Sequence, residues 1–168
     1  MIDFNQFKEH VVIPTLKYLD AGSGIPYSDE AVDLLMLTAG HESKGGKFLR
    51  QVGMEGDKGA FGVYQMELAT HNDIWDNFLK YKKGGLPYFL TTTVGAESTT
   101  ADSLIMNLSY ATAMARVHYW RVAEALPSKD DTRYLPLLGE YAKKYYNTHL
   151  GKATASKYVM DYLDWRDS

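Results

Sequence analysis

In SDEAVDLLMLTAGHES, residues 28–43, apolar positions recur at helical steps and the pattern ends on a carboxylate. Ser28 is placed to cap a helix, and Asp29 and Glu30 lie in the first turn, where the helix dipole favours negative charge. Ala31, Leu34, Leu35 and Thr38 follow at three- and four-residue spacings, so one face is apolar. Extending that face four residues from Thr38, or seven from Leu35, reaches Glu42, and the predicted helix runs from Ser28 to Glu42. A carboxyl at the end of a buried stripe loses hydration, which disfavours its charged form and raises its pKa. Held protonated near neutral pH, such a group serves as a general acid. The competing reading is a helix-end side chain that reaches solvent or pairs with a base.

Outward from this segment the chain reads as mostly helical. Asp3 caps a first helix over residues 4–20, with Phe4, Phe7 and Val11 in phase and Pro14 predicted to kink it. Residues 43–62 are rich in glycine. Within and just beyond them, KFLRQVG (47–53) and AFGVYQM (60–66) are β-prone runs separated by MEGDKG, which predicts a small hairpin. A helix is predicted from Thr70 to about Tyr81, with Asp73 at the capping-box position, and Gly84, Gly85 and Pro87 stop it. Residues 84–101 read as a long loop. Asp102 caps the most strongly patterned helix, Ser103 to about Leu126, kept slim by Ala111, Ala113 and Ala115 so that others pack closely around it. Helices over about 132–146 and from Thr154 onward complete an α-rich single domain with one β excursion.

Composition narrows the function classes. A chain of 168 residues with 45% hydrophobic content is large enough for a core. It lacks an apolar run long enough to span a membrane, and its start, MIDFNQFKEH, does not resemble a secretory signal. With no cysteine, disulfides, thiolate chemistry and Cys-based zinc sites are excluded. A net charge of −3 with dispersed Lys and Arg speaks against nucleic-acid binding. The 13 tyrosines and 3 tryptophans suit either a core or a cleft that stacks on flat, partly apolar ligands.

Most chemical motifs fail. Gly53, Gly56, Gly59 and Gly62 lack the phosphate-loop spacing, the five histidines have no metal-binding spacing, and no G-x-S-x-G elbow occurs. One combination remains: Glu42-Ser43 ending an apolar helix, Gly59 to Gln65 (GAFGVYQ) twenty residues on, and Tyr145-Tyr146-Asn147 near the C-terminus. In that order and spacing the chain resembles the lysozyme-like superfamily, in its goose-type-lysozyme and soluble-lytic-transglycosylase branch. Phage-encoded cell-wall enzymes are the nearest flavour. Glu42-Ser43 matches the catalytic Glu-Ser signature, Gly62-Val63-Tyr64-Gln65 the Gly-aliphatic-x-Gln run, and Tyr146-Asn147 the late aromatic-Asn pair. Lys144-Tyr145 stands where the family has a small residue, and the following glycine comes only at Gly151. Asn107, as an Asn opening a long Ala-rich helix, is a further familiar feature of the family, with a structural role.

The resemblance implies a mainly α, α+β lysozyme-like fold. About six to eight helices would surround the Ala-rich helix, with the hairpin beside a glycan cleft. It also implies cleavage of the MurNAc-β-1,4-GlcNAc bond of peptidoglycan by Glu42 as general acid/base, without cofactor or metal. Gln65 and Tyr146 would bond the acetamido group or Glu42, Ser43 would bond near the acid, and Tyr64 would stack on a sugar; Gly62 and Asn147 complete the set. An inverting hydrolase needs a second carboxylate about 6.5–9.5 Å away with room for water. The loop offers Glu55 and Asp57, and Glu67 and Asp73 follow Gln65. A lytic transglycosylase works with one, because the substrate's N-acetyl group assists and its C6 hydroxyl closes an anhydro ring. The alternative is a non-catalytic glycan-binding or virion structural module. Family habit suggests a monomer made in a host cytoplasm that reaches the wall by holin-type release or in a phage particle, with no membrane insertion.

Overall fold

A computed structural model describes residues 1–93, 100–146 and 153–168. The architecture is mainly helical with one two-stranded antiparallel sheet. Helices α1 (Phe4–Phe7) and α2 (Ile13–Ser23) are joined by a π-helical turn, Lys8–Val12, into one rod. Asp3 caps it, accepting from the Gln6 N–H at 2.9 Å. Pro14 has no N–H to donate one turn back, and the wide turn before it, closed by Ile13 N–H on the Lys8 carbonyl, absorbs the mismatch. The rod therefore continues beyond residue 20 to Ser23.

Helix α3 (Asp29–Ser43) starts as predicted, with Ser28 Oγ accepting from the Ala31 N–H at 3.1 Å. Its burial exceeds a single face: every residue from Ala31 to Gly40 is buried, so α3 runs through the interior. Asp33 within it is matched by the Tyr134 hydroxyl at 3.0 Å and Lys129 at 2.9 Å.

The hairpin differs from the expected pairing. Strand β1 (Ala60–Phe61) pairs with β2 (Met66–Glu67), Ala60 opposite Glu67 and Phe61 opposite Met66, while the 47–53 run contributes one bridge, Arg50 to Phe61. The chain reverses inside the segment read as strand because Gly62 (φ 74°) and Gln65 (φ 46°) both take left-handed conformations.

Helix α4 (Leu68–Asn77) begins before Thr70 and passes into a 3₁₀ turn, Leu79–Tyr81. Asp73 is no cap: it accepts from the Asn77 amide and pairs with Arg121 at 2.7 Å. Part of the predicted 84–101 loop is helical, as α5 (Gly85–Tyr88) and π-helical Phe89–Thr93. The predicted Ser103–Leu126 helix is two, α6 (Ala101–Met106) and α7 (Leu108–Trp120), and Asp102 lies inside the first turn of α6. Asn107 breaks the line with an extended backbone, and its side chain caps α7 by accepting from the Tyr110 N–H at 2.9 Å. All residues from Tyr110 to Val117 are buried, which makes α7 the second interior helix beside α3.

Helices α8 (Tyr134–Tyr145) and α9 (Ala155–Arg166) pack on each other, and α9 also lies along α3. Gly40 permits this: a Cβ there would stand 3.2 Å from the Tyr162 Cα on α9. Residues of α1, α3, the hairpin, α7, α8 and α9 share one hydrophobic cluster. Among the described residues, no helix is long and apolar enough to cross a membrane.

Candidate functional site

Glu42 sits in the last turn of α3, where the interior helix emerges into a cleft lined by Glu42, Gln65, Met66, Glu67, Thr70, His118 and Tyr146. Four stretches of the chain thus meet at one place: the end of α3, the continuous run of hairpin turn, β2 and the start of α4, the last turn of α7, and the end of α8. The Glu42 carboxyl is largely enclosed, and burial pushes its pKa up to about 7. A hydrogen bond from the Tyr158 hydroxyl to Oε1, 2.6 Å long, acts in the opposite direction and leaves the rise incomplete. Tyr158 thus engages Oε1 of the carboxyl.

Beneath this pair lies a charged cluster. The His41 ring packs against Tyr158 with centroids 3.8 Å apart, and His41 Nδ1 donates to Asp161 Oδ2 at 2.8 Å. Asp161 is 3% exposed and also receives Lys44 and Lys157. Burial opposes its ionisation, yet Lys157, Lys44 and His41 together hold its pKa below the usual carboxylate value. This carboxylate is structural: it ties α9 to the end of α3 and so places Tyr158.

His118 is another titratable group lining the cleft. Its Nε2 donates to the Tyr145 carbonyl at 3.1 Å, and its Nδ1 accepts from Arg121 at 3.0 Å. These partners fix one neutral tautomer. Burial, aided by the neighbouring Arg121 charge, lowers its pKa to about 4. Tyr146 stands edge-on to this ring at 5.3 Å and donates its hydroxyl proton to the Tyr64 carbonyl at 2.8 Å, which ties the end of α8 to the hairpin turn.

The residues singled out in the sequence separate into three groups. Glu42, Gln65 and Tyr146 line the cleft together. Gln65 holds its own turn, with Nε2 donating to the Gly62 carbonyl at 2.8 Å. Ser43, Gly62 and Tyr64 do something other than expected. Ser43 is fully buried; its Oγ donates to the Ala39 carbonyl and accepts from the Gly46 N–H at 2.8 Å, so it terminates α3 rather than bonding near the acid. Gly62 allows close packing, since a Cβ there would fall 2.0 Å from the Leu104 carbonyl oxygen of α6. Tyr64 is 1% exposed, with its hydroxyl 3.2 Å from that of Thr112, and has no face to offer a sugar.

The loop carboxylates form the third group. Glu55 and Asp57 line a different, open groove with Arg50, Phe61, Asn72 and Asp102. The carboxylate that shares the Glu42 cleft is Glu67. Asn147 lies outside the described residues. Glu67 follows Gln65 closely and was within reach of sequence reasoning. In the sequence Thr70 reads as a helix start, and His118 and Tyr158 lie within predicted helices, a pattern that reads equally as core.

Among the described residues no group of three or more acidic or histidine side chains is placed to hold a metal ion. Comparison with protein-family models, with curated proteins and with solved structures gives no significant match to this chain.

Proposed function

We propose that this chain cleaves the glycan strands of bacterial peptidoglycan at the MurNAc-β-1,4-GlcNAc bond, with Glu42 as general acid. The observation that carries the reading is a carboxyl that lines a cleft, held by burial at a pKa of about 7 and bonded to Tyr158 through one oxygen. A glycosidic oxygen leaves as a poor alkoxide unless protonated, and an acid that keeps its proton near neutrality supplies that proton. In the proposed step Oε2 of Glu42 protonates the bridging oxygen as the C1–O bond breaks and positive charge develops at the anomeric carbon. Gln65 and Tyr146, on the same cleft, are the proposed contacts to the sugar acetamido group.

The fate of the anomeric carbon separates two subtypes. In the hydrolytic version Glu67 is the second carboxylate and orients a water; this role passes to it from Glu55 and Asp57, which line the other groove. In the transglycosylase version the substrate's own C6 hydroxyl attacks, and Glu42 recovers a proton from it. The proposed partner is the glycan strand met by a single copy of the chain, which is delivered to the wall by holin-type release or from a phage particle.

Purified sacculi test the reading directly. The unmutated protein is expected to release soluble muropeptides and Glu42→Gln to release none while keeping its fold by circular dichroism. Mass spectrometry then distinguishes anhydro ends, one water lighter, from reducing ends. Undiminished release by Glu42→Gln overturns the catalytic assignment, and wall binding by the unmutated protein without product leaves the glycan-binding module as the correct reading.

A further inference from the structure

Arg116 lies two residues before His118 on α7, so helical geometry turns it to the side away from the Glu42 cleft. It is 5% exposed, yet among the described residues no carboxylate pairs with it. Among the described residues, one terminal nitrogen donates to the Pro26 carbonyl at 3.1 Å, and its Nε is buried with no partner. A guanidinium does not escape this by losing its proton, so the cost of burying the charge persists until an anion arrives. Burial disfavours its charged form, and Tyr141 opposes this to a lesser degree.

Arg116 borders a pocket formed with Pro26, Tyr119, Trp120, Leu126 and Tyr141. Its guanidinium carbon stands 5.3 Å from the centre of the Trp120 ring, and Trp120 is 41% exposed despite its size. Glu124 is also on the lining but is taken: Lys144 pairs with it at 2.8 Å and the Tyr145 hydroxyl donates to the same oxygen. The pocket therefore combines one buried cation with no carboxylate partner among the described residues, a half-exposed aromatic wall and an aliphatic flank.

We propose that this pocket is a binding site for a carboxylate with a small apolar body, the carboxylate on the Arg116 guanidinium and the body against Trp120 and Leu126. A carboxylate matches the planar guanidinium fork, whereas a compact hydrated anion would leave the aromatic wall unused. The carboxylate comes either from a free small acid or from the C-terminus of a peptide. Neither source depends on the proposed glycan chemistry, so the two ideas fail separately.

The test follows the Trp120 indole N–H resonance, assigned with Trp120→Phe, while phenylacetate or N-acetylalanylalanine is titrated into the whole chain. Each acid is compared with its neutral amide at constant ionic strength. The acid is expected to bind about tenfold or more tightly than the amide, the worth of one charge-assisted bond pair. Arg116→Met is expected to abolish that preference and Arg116→Lys to weaken it, so one variant reports even if the other fails to fold. Tighter binding by phenylacetate identifies a free acid as the ligand type, and tighter binding by the dipeptide a chain terminus. Equal shifts from acid and amide, no shift from either, or an unchanged preference in both Arg116 variants overturns the site.

Discussion

The Tyr158 hydroxyl lies 2.6 Å from Glu42 Oε1, a hydrogen bond between residues 116 positions apart in the chain. Two influences compete at this carboxyl: burial raises its pKa, the phenol lowers it, and burial prevails at about 7. Replacing Tyr158→Phe removes only the lowering influence. The pKa of Glu42 is expected to rise further, by up to about one unit, since one hydrogen bond to a carboxylate is worth about 1.4 kcal/mol. A ¹³C-carboxyl NMR titration reads this directly, and an unchanged or lower value contradicts the competition described. On the proposed function, the alkaline limb of the pH–activity profile shifts upward with it, because the active form is the protonated acid.

The same carboxyl makes stability depend on pH. Its pKa in the folded chain, about 7, is above the ordinary 4.5, so the folded state holds a proton that the unfolded chain releases between those values. Its contribution is complete below pH 4.5 and is lost as pH rises through 7. The full span corresponds to about 3 kcal/mol. Glu42→Gln, which never ionises, should therefore gain on the unmutated protein by up to that amount between pH 4.5 and 8. Denaturant midpoints of the two proteins across that range check it; a constant difference would show that Glu42 titrates normally.

His118 works in the opposite sense. Burial and the Arg121 charge hold it neutral down to about pH 4, while an unfolded histidine takes up a proton near 6.5. The unfolded chain binds more protons in that window, so the contribution of His118 is present above 6.5 and lost as pH falls through 4. The loss amounts to about 3 kcal/mol. His118→Gln keeps a donor for the Tyr145 carbonyl without a titrating ring, and its unfolding free energy should fall less steeply between pH 6.5 and 4. Parallel slopes for the two proteins would mean that His118 protonates in the folded state.

Local pattern and long-range packing differ in how much of this site they leave visible in the sequence. Glu42 was legible because a regular apolar stripe ends on it, and Gln65 because it follows Gly62 at the spacing of a tight turn. The Ser28, Asp3 and Thr154 caps were legible for the same reason, since capping is decided within four residues. Tyr158 and His118 reach the site through helix–helix packing, and a tyrosine or histidine in helical phase has the same pattern whether it fills a core or lines a cleft. The neighbours of Glu42-Ser43 and Gly62-Val63-Tyr64-Gln65 mislead for a related reason. A short motif marks where the chain must bend, and Ser43, Gly62 and Tyr64 make that bend from inside the protein. Periodicity hides the break at Asn107, because the apolar phase of α6 runs on into α7 without a glycine or proline; only the resemblance marks Asn107 as the start of the Ala-rich helix, as the cap on α7 bears out.

Gly62 offers the sharpest test of how the hairpin is held against the helices. Its φ of 74° is costly for any residue with a Cβ, and that Cβ would stand 2.0 Å from the Leu104 carbonyl oxygen, backbone that has no rotamer to change. The Gly62 N–H also donates to the Leu49 carbonyl at 2.9 Å, and its own carbonyl accepts from both the backbone and side-chain nitrogens of Gln65. Relief of the clash must move either α6 or the turn, and moving the turn displaces Gln65 from the cleft and the Tyr64 carbonyl from Tyr146. Gly62→Ala is therefore expected to cost on the order of 3 kcal/mol or more, against about 1–2 kcal/mol for Gly53→Ala. Gly53 also has a positive φ, but its Cβ would meet nothing within 4 Å, so it isolates the conformational cost from the clash. Thermal unfolding of both variants measures the difference. Equal losses would place the whole penalty in the backbone angle and remove the contact between hairpin and α6 as a determinant of the cleft.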